Sequence, residues 1–243
     1  MLILGIETSC DETSVSVVKD GTTVLSNIVY SQIKKHKPYG GVVPEIASRL
    51  HVESIHTLYH RALTDAGIKG EDIEACAVTY GPGLEGALLV GLIFAKSFSS
   101  ILKVPLIPVN HLEGHIYSGF LDQASPITFP FITLIVSGGH TQIVKVSDNF
   151  KFEILGQTRD DAAGEAFDKV ARVLELGYPG GPVIEKMALT GNEKAFEFPR
   201  AMKNQGLEFS FSGLKTAVIQ TFKKLTAINE PINKPDFCAS FQK

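Results

Sequence analysis

Tryptophan is absent from the 243 residues, and cysteine and methionine occur only three times each. Cys10, Cys76 and Cys238 are odd in number and far apart. That excludes a disulfide framework and a cysteine-built zinc site, and it makes a reducing, cytoplasmic compartment the expectation. No charge sign dominates: 26 acidic residues against 23 basic leave a net charge of −3. So small a balance excludes nucleic-acid binding by bulk charge; such a partner requires a local basic patch or a helper protein. A secretory leader is not expected, because Met1-Leu2-Ile3-Leu4-Gly5 has no basic start and Glu7, Asp11 and Glu12 follow at once. Long apolar runs reduce to one, residues 84–102. It contains Glu85, Lys96 and three serines and follows a Gly-Pro-Gly turn, so it reads as a buried helix and no membrane association is expected.

What is present is enough for a packed core. Hydrophobic residues make up 44% and charged residues 20%, which excludes wholesale disorder, and the length suits one large domain or two small ones. The opening run Leu2-Ile3-Leu4-Gly5-Ile6-Glu7 reads as a buried strand. A polar turn, a second strand around Val15, Val17 and Val18, the hairpin signal Asp20-Gly21 and a third strand over 22–29 follow. Residues 34–41 read as a basic loop and 44–63 as a helix. Strands over 73–79 and 106–109 flank the 84–102 helix, which gives an α/β layout with parallel strands added to a meander. Near Phe131 the opening pattern returns: a strand over 131–136, the turn Ser137-Gly138-Gly139-His140, a strand over 141–146, the turn Asp148-Asn149 and a strand over 152–157. The repeat predicts two related halves, 1–127 and 128–243. Helices are expected over 160–176, 183–189 and 212–225, with Ser212 as a cap and Gly180-Gly181-Pro182 either as a plain stop or as a place where backbone approaches a flat ligand such as adenine or ribose. No closing strands follow in the second half.

Matching polar turns in two facing halves suggest a shared cleft. Ser137-Gly138-Gly139-His140 carries two glycines that would permit positive φ and close backbone approach to a phosphate, or would serve as an ordinary hairpin turn. The first turn places Glu7 at a strand end and Asp11 and Glu12 within it, suited to a metal-bound water or to orienting a nucleophile, or simply an acidic turn in solvent. In Asn110-His111-Leu112-Glu113-Gly114-His115, Asn110 is a good helix cap. His111 and His115 share a face at i, i+4 as metal ligands do, or are two histidines of an amphipathic helix. A zinc-protease base is excluded, because Leu112 occupies the slot where that chemistry needs a glutamate. Asp168 and Arg172 make an i, i+4 pair, and Lys34-Lys35-His36-Lys37 is a solvated loop or a phosphate contact.

Several of these segments, taken in order, resemble one family. They are Gly5-Ile6-Glu7-Thr8-Ser9-Cys10-Asp11-Glu12-Thr13, Gly40-Gly41-Val42-Val43-Pro44-Glu45, Gly81-Pro82-Gly83-Leu84 and His111-Leu112-Glu113-Gly114-His115. Val136-Ser137-Gly138-Gly139-His140-Thr141-Gln142, the run from Asp160 to Lys169, Tyr178-Pro179-Gly180-Gly181-Pro182 and the run from Phe209 to Lys215 continue the match along the whole chain. The family is TsaD, the bacterial tRNA adenosine threonylcarbamoyltransferases, once described as O-sialoglycoprotein endopeptidases. The resemblance implies an actin-like (ASKHA) α/β fold of two RNase H-like lobes, the second incomplete. It implies transfer of threonylcarbamoyl from its AMP anhydride to N6 of adenosine 37, in tRNAs reading codons that begin with A.

By the same resemblance, His111 and His115 bind one divalent metal ion, iron or zinc. Ile135, Val136, Ser137, Gly138 and Gly139, with His140 beside them, line the site for threonylcarbamoyl-AMP or another adenylate (ATP, ADP or AMP). Asp168 and Gly181 hold the nucleoside, Glu185 assists, and Asp11 and Glu12 lie near the reacting centre. Implied partners are tRNA, a TsaB-like paralogue forming a heterodimer through the N-terminal helices, a TsaE-like ATPase and a TsaC-like synthase supplying the intermediate. The family pattern continues past Lys243, into a segment that carries a third, acidic metal ligand. The expectation is a C-terminally truncated chain that folds imperfectly in its second lobe, holds metal weakly and is inactive alone. The rival readings are a catalytically incomplete scaffold subunit and an actin-like ATPase or kinase.

Overall fold

The computed structural model describes residues 1–121, 127–147 and 151–243; the expected turn at Asp148-Asn149 lies outside them. Two compact units result, Met1–Ile127 and Thr128–Lys243.

In the first unit, β1 (Leu2–Glu7), β2 (Glu12–Lys19) and β3 (Thr23–Ser31) form the antiparallel meander. Asp20 and Gly21 both adopt positive φ, 53° and 82°, the geometry of the tight hairpin turn their sequence predicts. β4 (Ala75–Gly81) joins the other side of β1 in parallel and β5 (Leu106–Asn110) joins β4, giving the order β3-β2-β1-β4-β5. Alternation along β1 and β2 buries Leu4, Ile6, Val15 and Val17 on one face. α2 (Pro44–Ala66) and α3 (Glu85–Leu102) cover that face.

Pro44 suits the first turn of α2, and a left-handed Gly67 ends it. Its buried stripe is Ala47, His51, Ile55, Leu58, Ala62 and Leu63; Ile46 and Leu50, expected there, are only half-buried. α3 is the one described helix long and apolar enough to cross a membrane. It packs instead on β4 and α2, burying Ala87, Leu88, Gly91, Ala95, Phe98 and Ser99. The expected basic loop departs from the prediction. Residues 33–39 wind into the short α1 (Ile33–His36) and a 3₁₀ turn, and His36 is buried while Lys34, Lys35 and Lys37 are exposed. α4 (His111–Tyr117) follows β5, with Asn110 accepting from the Leu112 and Glu113 amides as a cap should.

In the second unit, β6 (Phe131–Val136), β7 (Thr141–Ser147) and β8 (Lys151–Gln157) repeat the meander in the order β6-β7-β8. Among the described residues no parallel strand joins β6, and Ile132, Leu134 and Val136 are exposed along one of its faces. The core lies among α5 (Ala163–Val173), α6 (Gly180–Ala188), α7 (Ser212–Ala227) and α8 (Lys234–Gln242). Phe237 is its hub, edge-on to Phe198 and Phe222 and tilted against Phe196.

Two helix boundaries correct the sequence reading. Asp160 and Asp161 precede α5 rather than beginning it. Gly180 and Gly181 open α6 rather than stopping the previous helix, because a residue's amide at a helix start needs no intrahelical partner and the Asp168 carboxylate takes that of Gly180. The cap of α7 is likewise not Ser212. Asp160 Oδ1 accepts from the Phe211 and Ser212 amides at 2.8 and 3.2 Å, a carboxylate from a distant loop doing what a local hydroxyl was expected to do.

Truncating the unit-2 hub should be expensive. Phe237→Ala is expected to destabilise by about 3–5 kcal/mol, read as a lowered denaturant midpoint for unfolding of the second unit.

Candidate functional site

The residues singled out by sequence fall into two groups, one in each unit. The first is built on the turn between β1 and β2. Glu7 ends β1 and pairs with Ser14; residues 8–11 connect the strands, and Glu12, expected within the turn, instead opens β2, where it and Thr13 pair with β3. Each carbonyl from Ser9 to Asp11 receives a donor from a different element. Leu84 N–H donates to Ser9 O at 2.8 Å, His51 Nε2–H to Cys10 O at 2.9 Å and Gln32 N–H to Asp11 O at 2.9 Å. A carbonyl only accepts, so the His51 proton sits on Nε2, and its Nδ1 accepts from the Thr13 hydroxyl at 2.7 Å. Burial lowers the His51 pKa, which keeps the ring neutral for this double role. Thr8 donates to Ala87 O on α3 at 2.9 Å. On this fixed backbone Asp11 is half-buried and Glu12 exposed.

His51 is itself wired to His36. The Val43 amide donates to His36 Nδ1 at 3.3 Å, so Nε2 carries the ring proton and donates to Gln32 Oε1 at 3.0 Å. The Gln32 amide group then reaches Ala47 O and His51 Nδ1 at 3.4 and 3.5 Å. All three side chains are fully buried.

α4 brings its histidines to the foot of this turn. His111 Nδ1 lies 3.1 Å from Glu7 Oε2 and 3.2 Å from Ser9 Oγ. Its other nitrogen faces His115, with an Nε2–Nε2 separation of 3.1 Å. Two imidazole nitrogens each about 2.0–2.1 Å from a zinc-like ion stand roughly 2.9–3.4 Å apart for bond angles of about 90–109°, so the pair fits a shared divalent ion. Among the described residues no group of three or more His, Cys, Asp or Glu is placed to hold a metal, so the pair supplies two ligands.

Glu7 is the residue that sequence reasoning underused. Burial would raise its carboxyl pKa, but hydrogen bonds from His111, Ser9 and Thr79 outweigh that and hold it at about 2. Its place at a strand end is visible in the sequence; its meeting with a histidine 104 residues away is not. Cys10, exposed at the turn's surface, has its thiol pushed up to about 12, first by the atoms packed around the sulfur and then by the neighbouring Asp11 carboxylate.

The second group surrounds the β6–β7 turn. Ser137 N–H donates to His140 O at 2.8 Å, while Ser137 Oγ accepts from the His140 and Gly139 amides at 3.0 and 3.3 Å. The Gly138 amide takes no part in these bonds. Neither Gly138 nor Gly139 has the positive φ that the sequence suggested, and a Cβ on either meets nothing within 4 Å. The glycine that close packing demands is Gly164, at the start of α5. Its amide donates to Ser137 O at 3.1 Å, and a Cβ there would sit 2.6 Å from that same oxygen. Ile135 is buried at the strand end and Val136 exposed.

Asp168 Oδ1 accepts from the Gly180 amide at 2.6 Å, which presses Gly180 against the α5 backbone, where a Cβ would lie 2.4 Å from Phe167 O. Gly181 beside it faces open space, and Glu185 is exposed one turn later on α6. Asp161, by contrast, is spent on Lys215 and Lys169, with the second contact at 3.2 Å.

The family model described as TsaD: tRNA N6-adenosine threonylcarbamoyltransferase matches residues 23–243. A protein of that description from Clostridium perfringens is 57% identical over 243 residues, covering all of this chain and 71% of the relative. Another, from Staphylococcus haemolyticus, is 56% identical over 242 residues, covering 99% of this chain and 70% of the relative. Among solved structures, component A of the (R)-2-hydroxyglutaryl-CoA dehydratase of Acidaminococcus fermentans is similar with a TM-score of 0.53 at 13% identity, over 99% of this chain and 73% of that one. This likeness concerns the fold alone, which is of the actin-like ATPase class.

Two outcomes follow from the two turns. Cys10 should react with iodoacetamide at pH 8 at least about tenfold more slowly than a free cysteine, and Asp11→Asn should accelerate it, since the thiolate is the nucleophile. Gly164→Ala should cost about 1–3 kcal/mol in thermal or denaturant unfolding, because the new methyl meets backbone that cannot rotate away.

Proposed function

The chain belongs to the tRNA N6-adenosine threonylcarbamoyltransferase family, TsaD, and from that premise we propose how its residues divide the work of moving a threonylcarbamoyl group from threonylcarbamoyl-AMP to N6 of adenosine 37 in tRNAs reading codons that begin with A. The donor is a mixed anhydride and already activated, so the protein contributes orientation and charge stabilisation. The N6 amine attacks the carbamoyl carbon, a C–N bond forms, the C–O bond to phosphate breaks, and AMP leaves.

Asp11 accepts the N6 proton, with Glu12 beside it as a second acid at the start of β2. The observation that carries this assignment is the turn's rigidity: three carbonyl ties from α1, α2 and α3 territory hold the backbone on which Asp11 stands. A general base must keep its geometry through the transition state, and a turn pinned at consecutive residues supplies that. His111 and His115 hold the divalent metal, iron or zinc, whose chemistry when bound is to polarise a carbonyl or carboxylate oxygen of the threonylcarbamoyl group.

In the second unit, the Gly138 amide, the one N–H of that turn left out of its local bonds, donates to the leaving AMP, with Ser137, Gly139 and His140 shaping the loop and Ile135 and Val136 its base. Gly181 leaves room for the nucleoside, Asp168 fixes the turn that presents it, and Glu185 stands one helical turn on.

The exposed apolar residues Val52 on α2 and Leu89, Ile93 and Ile101 on α3 support docking of a TsaB-like paralogue on the N-terminal helices. A net charge of −3 leaves much of the tRNA contact to exposed Lys34, Lys35 and Lys37 and to that partner. A TsaC-like synthase supplies the intermediate and a TsaE-like ATPase assists turnover. Three free thiols support a cytoplasmic setting.

Asp11→Ala, assayed by mass spectrometry of tRNA nucleosides with the partner proteins present, should lower transfer by about 10²–10⁴-fold while adenylate affinity stays within about twofold. Loss of adenylate binding with transfer retained per bound nucleotide would remove Asp11 from the proton-accepting role.

A further inference from the structure

The chain carries two histidine pairs of one geometry. His111 and His115 on α4, and His56 and His60 on α2, are each four residues apart. In both pairs the Nε2 atoms stand 3.1 Å apart, the ring centroids 4.5 Å apart and the planes near perpendicular, at 76° and 74°. Judged by the two rings alone, either could clip a divalent cation.

What stands behind the rings differs. At His56 and His60 both residues are exposed, and the described neighbours of the rings are each other and the Tyr59 ring. Behind His111 stands Glu7, 3.1 Å from Nδ1. Glu7 is not free to turn away. Its Oε1 accepts from the Ser9 amide, and its Oε2 accepts from the Thr79 hydroxyl on β4 at 2.6 Å. A carboxylate clamped between two strands thus accepts the Nδ1 proton. That leaves Nε2 with its lone pair, on the side facing His115. An imidazole bound to a metal through one nitrogen is oriented and made more basic by an acid on the other.

We propose that Glu7 is a positioning residue that selects between the two pairs. By fixing the tautomer and orientation of His111, it makes the α4 pair a metal site and leaves the chemically equal α2 pair a weak one. This rests on the metal reading given above for His111 and His115. It adds the acid through which β1 and β4, the central strands of the sheet, hold the ligand in place.

The test is zinc titration of the full metal-free chain in competition with a chromogenic chelator, so that no activity is needed. With two protein ligands the wild type should hold zinc modestly, in one equivalent stronger than any other, which His111→Ala/His115→Ala removes and His56→Ala/His60→Ala leaves unchanged. Glu7→Gln should weaken that equivalent by about 10–100-fold, towards the affinity of the α2 pair, with circular dichroism unchanged. In the same metal-free samples, ring-nitrogen NMR should place the His111 proton on Nδ1 in the wild type and move it towards Nε2 in Glu7→Gln. Thr79→Val keeps the Glu7 charge but removes its clamp, and should weaken binding several-fold; it carries the test if Glu7→Gln fails to fold. Wild-type affinity in folded Glu7→Gln, or in Thr79→Val where that variant stands in, overturns the proposal, as does loss of the stronger equivalent in His56→Ala/His60→Ala. No equivalent stronger than the rest in the wild type, or one that survives His111→Ala/His115→Ala, overturns instead the metal reading beneath it.

Discussion

A turn that leaves the end of a central strand has carbonyl groups with no ladder partner, and an unpaired buried acceptor costs about 1–3 kcal/mol. Residues 9–11 meet this constraint by drawing a donor from each neighbouring element: the start of α3, a buried histidine of α2 and the segment leading into α1. The placement of those elements and the placement of the turn are therefore one problem with one solution. His51 shows how tightly it is solved. Its two nitrogens hold the carbonyl before Asp11 and the hydroxyl after Glu12, so the two acids stand between fixed points. The buried chain from His36 through Gln32 to His51 carries the same order outward to the residues just before α2.

The second unit answers the same need with acids and with missing side chains. Asp160 caps α7 from a loop about fifty residues earlier in the chain, and Asp168 caps the opening of α6. Gly164 and Gly180 let backbone lie directly on backbone, so the Ser137 loop is backed by α5 and the start of α6 lies on that helix. Side chains there would not merely crowd the loop. They would push apart the segments whose amides and open surfaces are the candidate ligand contacts.

Much of this was legible from sequence because it is local. A short apolar run marked β1, the valines at 15, 17 and 18 marked β2, Asp20-Gly21 marked the hairpin, Asn110 marked the start of α4, and the return of the pattern at Phe131 marked the second meander. The i, i+4 histidines could be read directly from the helix they occupy. The misreadings have a common cause, which is a partner remote in sequence. Gly180-Gly181-Pro182 resembles a helix stop until the Asp168 carboxylate is placed above it. Ser212 resembles a cap until Asp160 arrives in its stead. The glycines of Ser137-Gly138-Gly139-His140 suggest positive φ, yet the residue whose lack of a side chain matters most is Gly164, which no local rule points to. His36 sits in a run of lysines and shares their polar pattern, although burial separates it from its neighbours. Glu7 belonged to the strand by pattern, and only the parallel pairing of β4 on β1 brings Thr79 and His111 to its carboxylate.

The exposed histidines of α2 have a bearing on handling as well as on chemistry. Two rings four residues apart on a solvent-facing helix are a natural ligand for immobilised nickel or cobalt, because the resin supplies the remaining ligands and leaves open positions for the two rings. An untagged preparation would thus be retained on such a column and eluted by modest imidazole, and a chelating resin already loaded with such an ion would hold the protein in the same way.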